Sequence, residues 1–344
     1  MMKYNKVVGI GGIGTGLLFI SGENATLGRS ESRLVELSDA KDYCKLHIVF
    51  HYVAKLLRNR AHVYPIGWVG KDAHGRALVE EMEEAGMRTD YVYADGELPT
   101  MISIVLQYPD KETCNFTASN SASDKVDPDF VEKSMMTLGV NPTTIIAAIP
   151  EVQIKSRLHM LRLGKKCGAF CCLSIPQSEA GVFVEADIFT CVDLLAVNHN
   201  EALALSPGEG DERETARRLY GFLREKNPDV MLLVTCSGKG AFTAHNDRIE
   251  HVPPLPCKAV NTSGAGDACL GGVIAGLAVG LPFQKGKDDG FFGETPLGSA
   301  AELGTLCAGM SVETADSIAK YVSIESIAER IYKNGWKKDG GFFA

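Results

Sequence analysis

The sequence predicts an α/β fold, a doubly wound and mostly parallel sheet with helices on both faces and a small extra sheet. Three observations predict it. Strand-length apolar runs alternate with segments of helical period along most of the 344 residues, the rhythm that βαβ units impose. Runs such as Val230-Met231-Leu232-Leu233-Val234 show no in–out alternation, as expected of strands covered on both sides. Two stretches, Leu17–Ser38 and Thr100–Thr117, break the rhythm with strand-like pieces and turns, and they supply the small sheet.

Taken in order, Lys6–Ile10 is the first strand, and Leu17–Ser38 follows without helical period. Cys44–Arg58 has the period of a helix, His62–Ile66 reads as a strand and Ala73–Ala85 as a helix. Thr100–Thr117 reads as a hairpin, with Met101–Leu106 and Thr113–Phe116 joined by Tyr108–Glu112. Thr144–Ile149, Gly168–Leu173, Asp193–Val197 and Val230–Thr235 are strands, with Val152–Leu163 and Glu212–Lys226 as helices. Residues 1–344 read as one domain, with segments at about 13–40 and 97–118 inserted within it. Lys285–Gly293 reads as a loop between two helices, its role open.

Apolar content of 45% and charged content of 23% are ordinary globular values, so disorder is not indicated. The net charge of −8 comes without a basic stripe, which argues against nucleic acid or an anionic membrane as partner. Nucleotides stay open, because they need only a local pocket of donors. Ten cysteines, no CxxC pair and no secretion signal read as reduced thiols of a cytoplasmic chain. Cys167, Cys171 and Cys172 crowd a strand whose alternate side chains face opposite ways, so they read as small hydrophobes rather than metal ligands. Five glycines between Gly9 and Gly16 break the N-terminal apolar patch too early for a signal or spanning helix.

Asn261-Thr262-Ser263-Gly264-Ala265-Gly266-Asp267-Ala268 carries the most chemistry. Its small residues let the backbone N–H groups of Gly264, Ala265 and Gly266 crowd around an anion. The apolar run behind them reads as a buried helix whose N-terminus aims unpaired donors and a positive dipole end at the same place. Asp267, in the first turn, sets a carboxylate beside that anion hole. A phosphate cradle and a base within reach of each other are what phosphoryl transfer to a hydroxyl requires. A bare GxGD is no more than a glycine-rich loop opening a packed helix. The longer string resembles the D-T-x-G-A-G-D signature of the ribokinase-like (PfkB) sugar kinase family.

That resemblance implies a ribokinase-like fold, ATP and Mg2+ as cofactors, and transfer of phosphate to a hydroxyl of a carbohydrate-like small molecule. Asp267 would be the base. Asn198-His199-Asn200-Glu201 is similar to the family's N-x-x-E motif, in which Asn198 and Glu201 would organise Mg2+ mainly through water. A helix start explains the same residues, with Asn198 as cap and Glu201 in the first turn. Thr235-Cys236-Ser237-Gly238-Lys239-Gly240 resembles the T-x-G-x-x-G turn, which would bring Thr235, Ser237, Gly238 and Gly240 to the nucleotide phosphates together with Thr262. Ser237 stands where glycine is usual, and a plain turn between two strands is the competing account. Ile66–Gly75 looks like I-G-x-V-G-x-D-x-x-G, with Asp72 placed to cap the next helix. Ala308–Val312 resembles a segment beside the adenine, although close helix packing explains its small residues equally. The small sheet would be a lid over the sugar and a homodimer contact; a surface hairpin accounts for Thr100–Thr117 as well.

The acceptor half departs from the family. The aspartate that holds sugar hydroxyls falls, counting from Gly11, on Gly16. The G-G-x-x-x-N loop, counted back from Gly70 without gaps, falls on Leu46, His47 and His51. His47 and His51 are four apart and share a helix face, where they either touch substrate or pack. Asn261 replaces the first aspartate of the signature, which leaves a monovalent cation open. Arg29 and Arg33, near the lid, would suit an acidic acceptor. Two other readings compete. Gly9-Ile10-Gly11-Gly12-Ile13-Gly14 satisfies G-x-G-x-x-G of an NAD(P)-binding oxidoreductase, but no convincing helix follows to hold the pyrophosphate. The missing sugar ligands also suit a non-catalytic nucleotide- or sugar-binding regulatory protein, which would have no use for Asp267.

Overall fold

The computed structural model describes residues 2–110, 112–286, 291–292 and 295–333. Thirteen strands build its two larger sheets: β1 Lys6–Ile10, β2 Gly14–Ile20, β3 Glu36–Tyr43, β4 His62–Gly70, β5 Val92–Asp95, β6 Met101–Gln107, β7 Thr113–Thr117, β8 Thr144–Ala148, β9 Phe170–Ser174, β10 Leu194–Asn198, β11 Met231–Thr235, β12 Ala241–His245 and β13 Arg248–Val252. The helices are α1 Lys45–Leu57, α2 Ala73–Glu84, α3 Pro128–Thr137, α4 Ile154–Lys166, α5 Ala180–Glu185, α6 His199–Leu205, α7 Glu212–Lys226, α8 Ala265–Ala278, α9 Ala300–Ser311 and α10 Ile324–Lys333.

Nine strands form the main sheet in the order β13-β12-β11-β10-β9-β8-β1-β4-β5. It is parallel from β11 to β5; β12 and β13 close one edge antiparallel. One face is covered by a core drawn from α1, α8, α9 and α10, the other by a core drawn from α3, α4, α5, α6 and α7. Leu194, Leu195, Leu232 and Leu233 are fully buried, so neighbouring residues of β10 and β11 feed opposite cores. That is the burial the unalternating runs predict. The expected doubly wound architecture is present.

Element ends moved for local reasons. Cys44 and Arg58 are the caps of α1 rather than its first and last residues. The expected strand Gly168–Leu173 begins later, because Gly168 takes φ +70° to end α4 and turn the chain. Asp72 accepts from Gly75 N over 2.8 Å and caps α2, as its motif suggests.

The small sheet runs β3-β2-β6-β7, with β2 and β6 parallel and the outer pairs antiparallel. Its two central strands, β2 and β6, alternate. Gly16, Leu18, Ser103 and Val105 face inward and are buried, whereas Leu17, Ile104 and Phe116 are exposed. Because Gly14 starts a strand and no helix follows the glycine run, the dinucleotide-binding alternative loses the element it needs. Among the described residues no helix is long and apolar enough to cross a membrane. The described cysteines are all free thiols, with Cys171 and Cys172 buried. The Lys285–Gly293 loop falls largely outside the described residues.

Candidate active site

Two helices, α8 and α6, each set a carboxylate in the first turn, Asp267 and Glu201, while α1 opens on a lysine. α8 begins at Gly264, whose φ of +75° is left-handed and whose Cβ, were there one, would lie 2.7 Å from Ser317 O. Only glycine turns the chain there without strain or collision. No side chain caps α8; Ala265 N donates to Thr262 O over 3.3 Å, and the positive dipole end is open to an anion. Asn261 fixes the loop behind: its Nδ2 donates to Ala315 O over 2.7 Å, and its Oδ1 accepts from Ser263 N over 2.9 Å. Asp267, in the first turn, has 13% of its side chain exposed.

The Asp267 Oδ2 is 3.6 Å from Nζ of Lys45, the first residue of α1. Glu151, just past β8, takes a left-handed φ of 74° and accepts the Lys45 backbone N–H at Oε2 over 3.0 Å. Lys45 therefore faces Asp267, Glu151 and Glu201 together, and their charges hold its ammonium well above the usual lysine range, the Asp267 charge most. Burial pushes the Asp267 carboxyl up from the ordinary aspartate value, while Lys45 pulls it down. Glu151 is pushed up to about 7, chiefly by burial.

Asn198 and Glu201 form a reciprocal capping box at the start of α6. Glu201 N donates to Asn198 Oδ1 over 2.9 Å, and Asn198 N donates to Glu201 Oε2 over 2.7 Å. The helix-start account of these residues is therefore satisfied. Glu201 also feels Lys45 and Asp267, so its charge sits within reach of the same centre. Thr235 ends β11 beside α8: a Cβ on Gly266 would be 3.7 Å from its Oγ1. Ser237, where glycine is usual, adopts φ 47°. The turn bonds its own amides at Cys236, Lys239 and Gly240, so Gly240 closes the turn with its N–H, and Lys239 is paired with Glu212. Space opens around Gly238.

His47 and His51 lie on another face of α1. They line a cavity of about 50 Å³ with Lys55, Glu81, Glu84, Ala85 and Lys320, and the charges they feel come from those residues. Neither is brought to Asp267; Lys45, two residues before His47 and so on another face, is. The gapless count thus landed on the right helix and the wrong face. Arg33 is 3.7 Å from Glu23 and 4.0 Å from Glu31, which neutralises the cation that was to attract an acidic acceptor. Lys45 and Glu151 escaped the sequence reading. A lysine opening a helix, against the dipole, and a glutamate directly after an apolar strand were the available signals.

A model of the pfkB family carbohydrate kinases matches residues 49–323. The chain belongs to this family. A bifunctional ribokinase/ribose-5-phosphate isomerase A of Fructilactobacillus sanfranciscensis is 24% identical over 62% of this chain and 38% of its own length. A deoxyribokinase of Salmonella typhi is 26% identical over 59% of this chain and 64% of its own. The chain thus spans under two thirds of either relative. The ribokinase of Giardia lamblia superposes with a TM-score of 0.77 at 17% identity, covering 94% of this chain and 99% of that one. That likeness is one of fold. The PfkB family assignment agrees with the GAGD loop at the start of α8, which lies inside the matched region.

Proposed function

We propose that the protein transfers the γ-phosphoryl group of ATP to a hydroxyl of a carbohydrate or related polyol. The observation that carries this reading is Asp267 in the first turn of α8, 3.6 Å from Lys45 and beside an uncapped helix N-terminus. Asp267 takes the proton of the attacking hydroxyl. The amides of Gly264, Ala265 and Gly266 hold the transferred phosphoryl, and Thr235, Ser237, Gly238 and Thr262 border the remaining phosphates. Lys45 offsets charge on the phosphates once they enter the cleft. Among the described residues no group of three or more His, Cys, Asp or Glu side chains is placed to hold an ion directly, so the one carboxylate and one amide of Glu201 and Asn198 suit a hard cation that keeps most of its waters. When bound, Mg2+ neutralises phosphate charge; Glu201 and Asn198 would hold it through water.

The small sheet serves as a lid, and its outer face suits a second copy of the chain. Leu17, Ile104 and Phe116 are 43%, 46% and 71% exposed and stand opposite one another across β2, β6 and β7, an apolar stripe of the kind that association covers. Light scattering should find a dimer that Phe116→Glu dissociates; a monomeric wild type rejects the dimer.

The catalytic reading is tested by acceptor-dependent ADP release on paired neutral and acidic sugars and nucleosides. Asp267→Asn should lose about 10³-fold or more in turnover and keep ATP binding within a few-fold. Near-normal turnover in that variant, or no turnover by the wild type on any acceptor, rejects the reading.

A further inference from the structure

Gly16 of β2 stands directly opposite Asp42 of β3. A Cβ built on Gly16 would lie 2.3 Å from Asp42 Oδ2 and 2.9 Å from its Cγ. The carboxylate of residue 42 therefore fills the space into which a side chain at residue 16 would project, on the inward face of the small sheet. Asp42 is 5% exposed. Its Oδ1 accepts from Ser263 Oγ over 3.0 Å, and the Ser317 hydroxyl donates to it as well. Ser263 belongs to the loop that opens α8, and the Asp42 charge is felt at Asp267. A carboxylate has about four acceptor positions, so the two serine hydroxyls and the Tyr43 backbone N–H leave room for a further donor. The Tyr43 backbone N–H and the Lys45 charge favour the ionised form as well, but burial outweighs them and holds the carboxyl above the ordinary aspartate value.

We infer that Asp42 is a specificity-determining ligand of the acceptor, holding its hydroxyls from β3 across the space kept open by Gly16; this rests on the kinase reading above. Position 16 lacks a carboxylate because the neighbouring strand supplies one. The site then carries Asp42, Glu151, Glu201 and Asp267 against Lys45, which favours neutral hydroxyl-rich acceptors over anionic ones. The pairing also makes a geometric demand. Any side chain at residue 16 must displace Asp42, whereas exchanging the two residues keeps one carboxylate in the same space.

The test uses the full chain with MgATP and D-ribose or D-fructose as acceptor. Asp42→Asn should raise the acceptor KM tenfold or more and leave the ATP KM within threefold. Asp42→Gly should lose at least as much, and adding Gly16→Asp to it should regain tenfold or more in kcat/KM. If Asp42 only braces Ser263, the ATP KM and kcat change instead, the exchange restores nothing, and the inference is overturned. Wild-type turnover with an unchanged acceptor KM in Asp42→Asn overturns this inference alone. A wild type inert towards both sugars and the wider panel overturns the kinase reading, and the inference with it.

Discussion

Lys45 and Asp267 face each other across 3.6 Å, each in the first turn of its own helix. The two positions are electrostatically unequal. A carboxylate near the N-terminus of α8 is favoured by the helix dipole, and an ammonium at the start of α1 is disfavoured, each by about 0.3–1 kcal/mol. Lys45 is held at an unfavourable end because three carboxylates converge on it. Placement against local preference is what a functional constraint leaves behind.

The first prediction concerns that pair. Asp267 must be ionised to accept a proton, so turnover rises as pH climbs through its pKa. Burial raises that pKa and Lys45 lowers it. Lys45→Met removes the lowering influence, and the acid limb of kcat should move to higher pH by about one unit. Turnover at neutral pH should fall about 10²-fold as well, since a phosphate partner is lost. An acid limb in Lys45→Met that superposes on the wild type would show that the ammonium does not tune Asp267.

The second prediction separates the two accounts of Glu201. Glutamine serves as well as glutamate in a capping box, so Glu201→Gln keeps the bond to Asn198 N and removes the charge. Its melting temperature should stay within about 2 °C of the wild type, given that a whole cap is worth about 1 kcal/mol. Half-saturation by Mg2+ should rise tenfold or more. Unchanged Mg2+ dependence would leave Glu201 a helix cap and nothing else.

Much of this was legible from the sequence, and the failures share a cause. Six of the nine main-sheet strands, β1, β4 and β8 to β11, and the β6–β7 hairpin declare themselves by runs of apolar or alternating residues, a purely local pattern. Asp267 could be singled out because loop, helix start and carboxylate are contiguous. Lys45, Glu151 and Asp42 could not, because each reaches the site from a different element: Lys45 opens α1, Glu151 follows β8, and Asp42 lies on β3. Only the register of β2 against β3 relates Gly16 to Asp42. His47 and His51 were misdirected by counting without gaps, which misplaces a helix face with a shift of one or two residues.

A third prediction tests the anion loop through its backbone. At Gly264, φ of +75° and a 2.7 Å approach to Ser317 O both oppose a methyl group. Gly264→Ala should destabilise the protein by about 1–3 kcal/mol, and relief of the collision must move the first turn of α8. The ATP KM should therefore rise by about tenfold. Denaturant melts and initial rates check the two halves separately; a variant with wild-type stability and wild-type ATP KM would show that the loop tolerates a side chain where a phosphate cradle cannot.

The last prediction concerns His47 and His51, which are buried at 1% and 4% exposure. Burial lowers their pKa values to about 4 and about 3, with Lys55 and Lys320 adding to the fall at His51 and Glu81 opposing it. In the unfolded chain both titrate near 6.5. The unfolded state thus binds more protons than the folded one below that pH, and stability must decline as pH drops from about 6.5 towards 4. The slope reaches at most about 1.4 kcal/mol per pH unit for each histidine. Raised carboxylates such as Glu151 act in the opposite sense, binding more protons when folded. The wild-type profile therefore mixes both signs, and comparison with the double variant isolates the histidines. His47→Gln with His51→Gln should flatten the fall in melting temperature between pH 6.5 and 5. Parallel profiles for the two proteins would mean that the imidazoles either stay protonated inside the fold or titrate as they do in water.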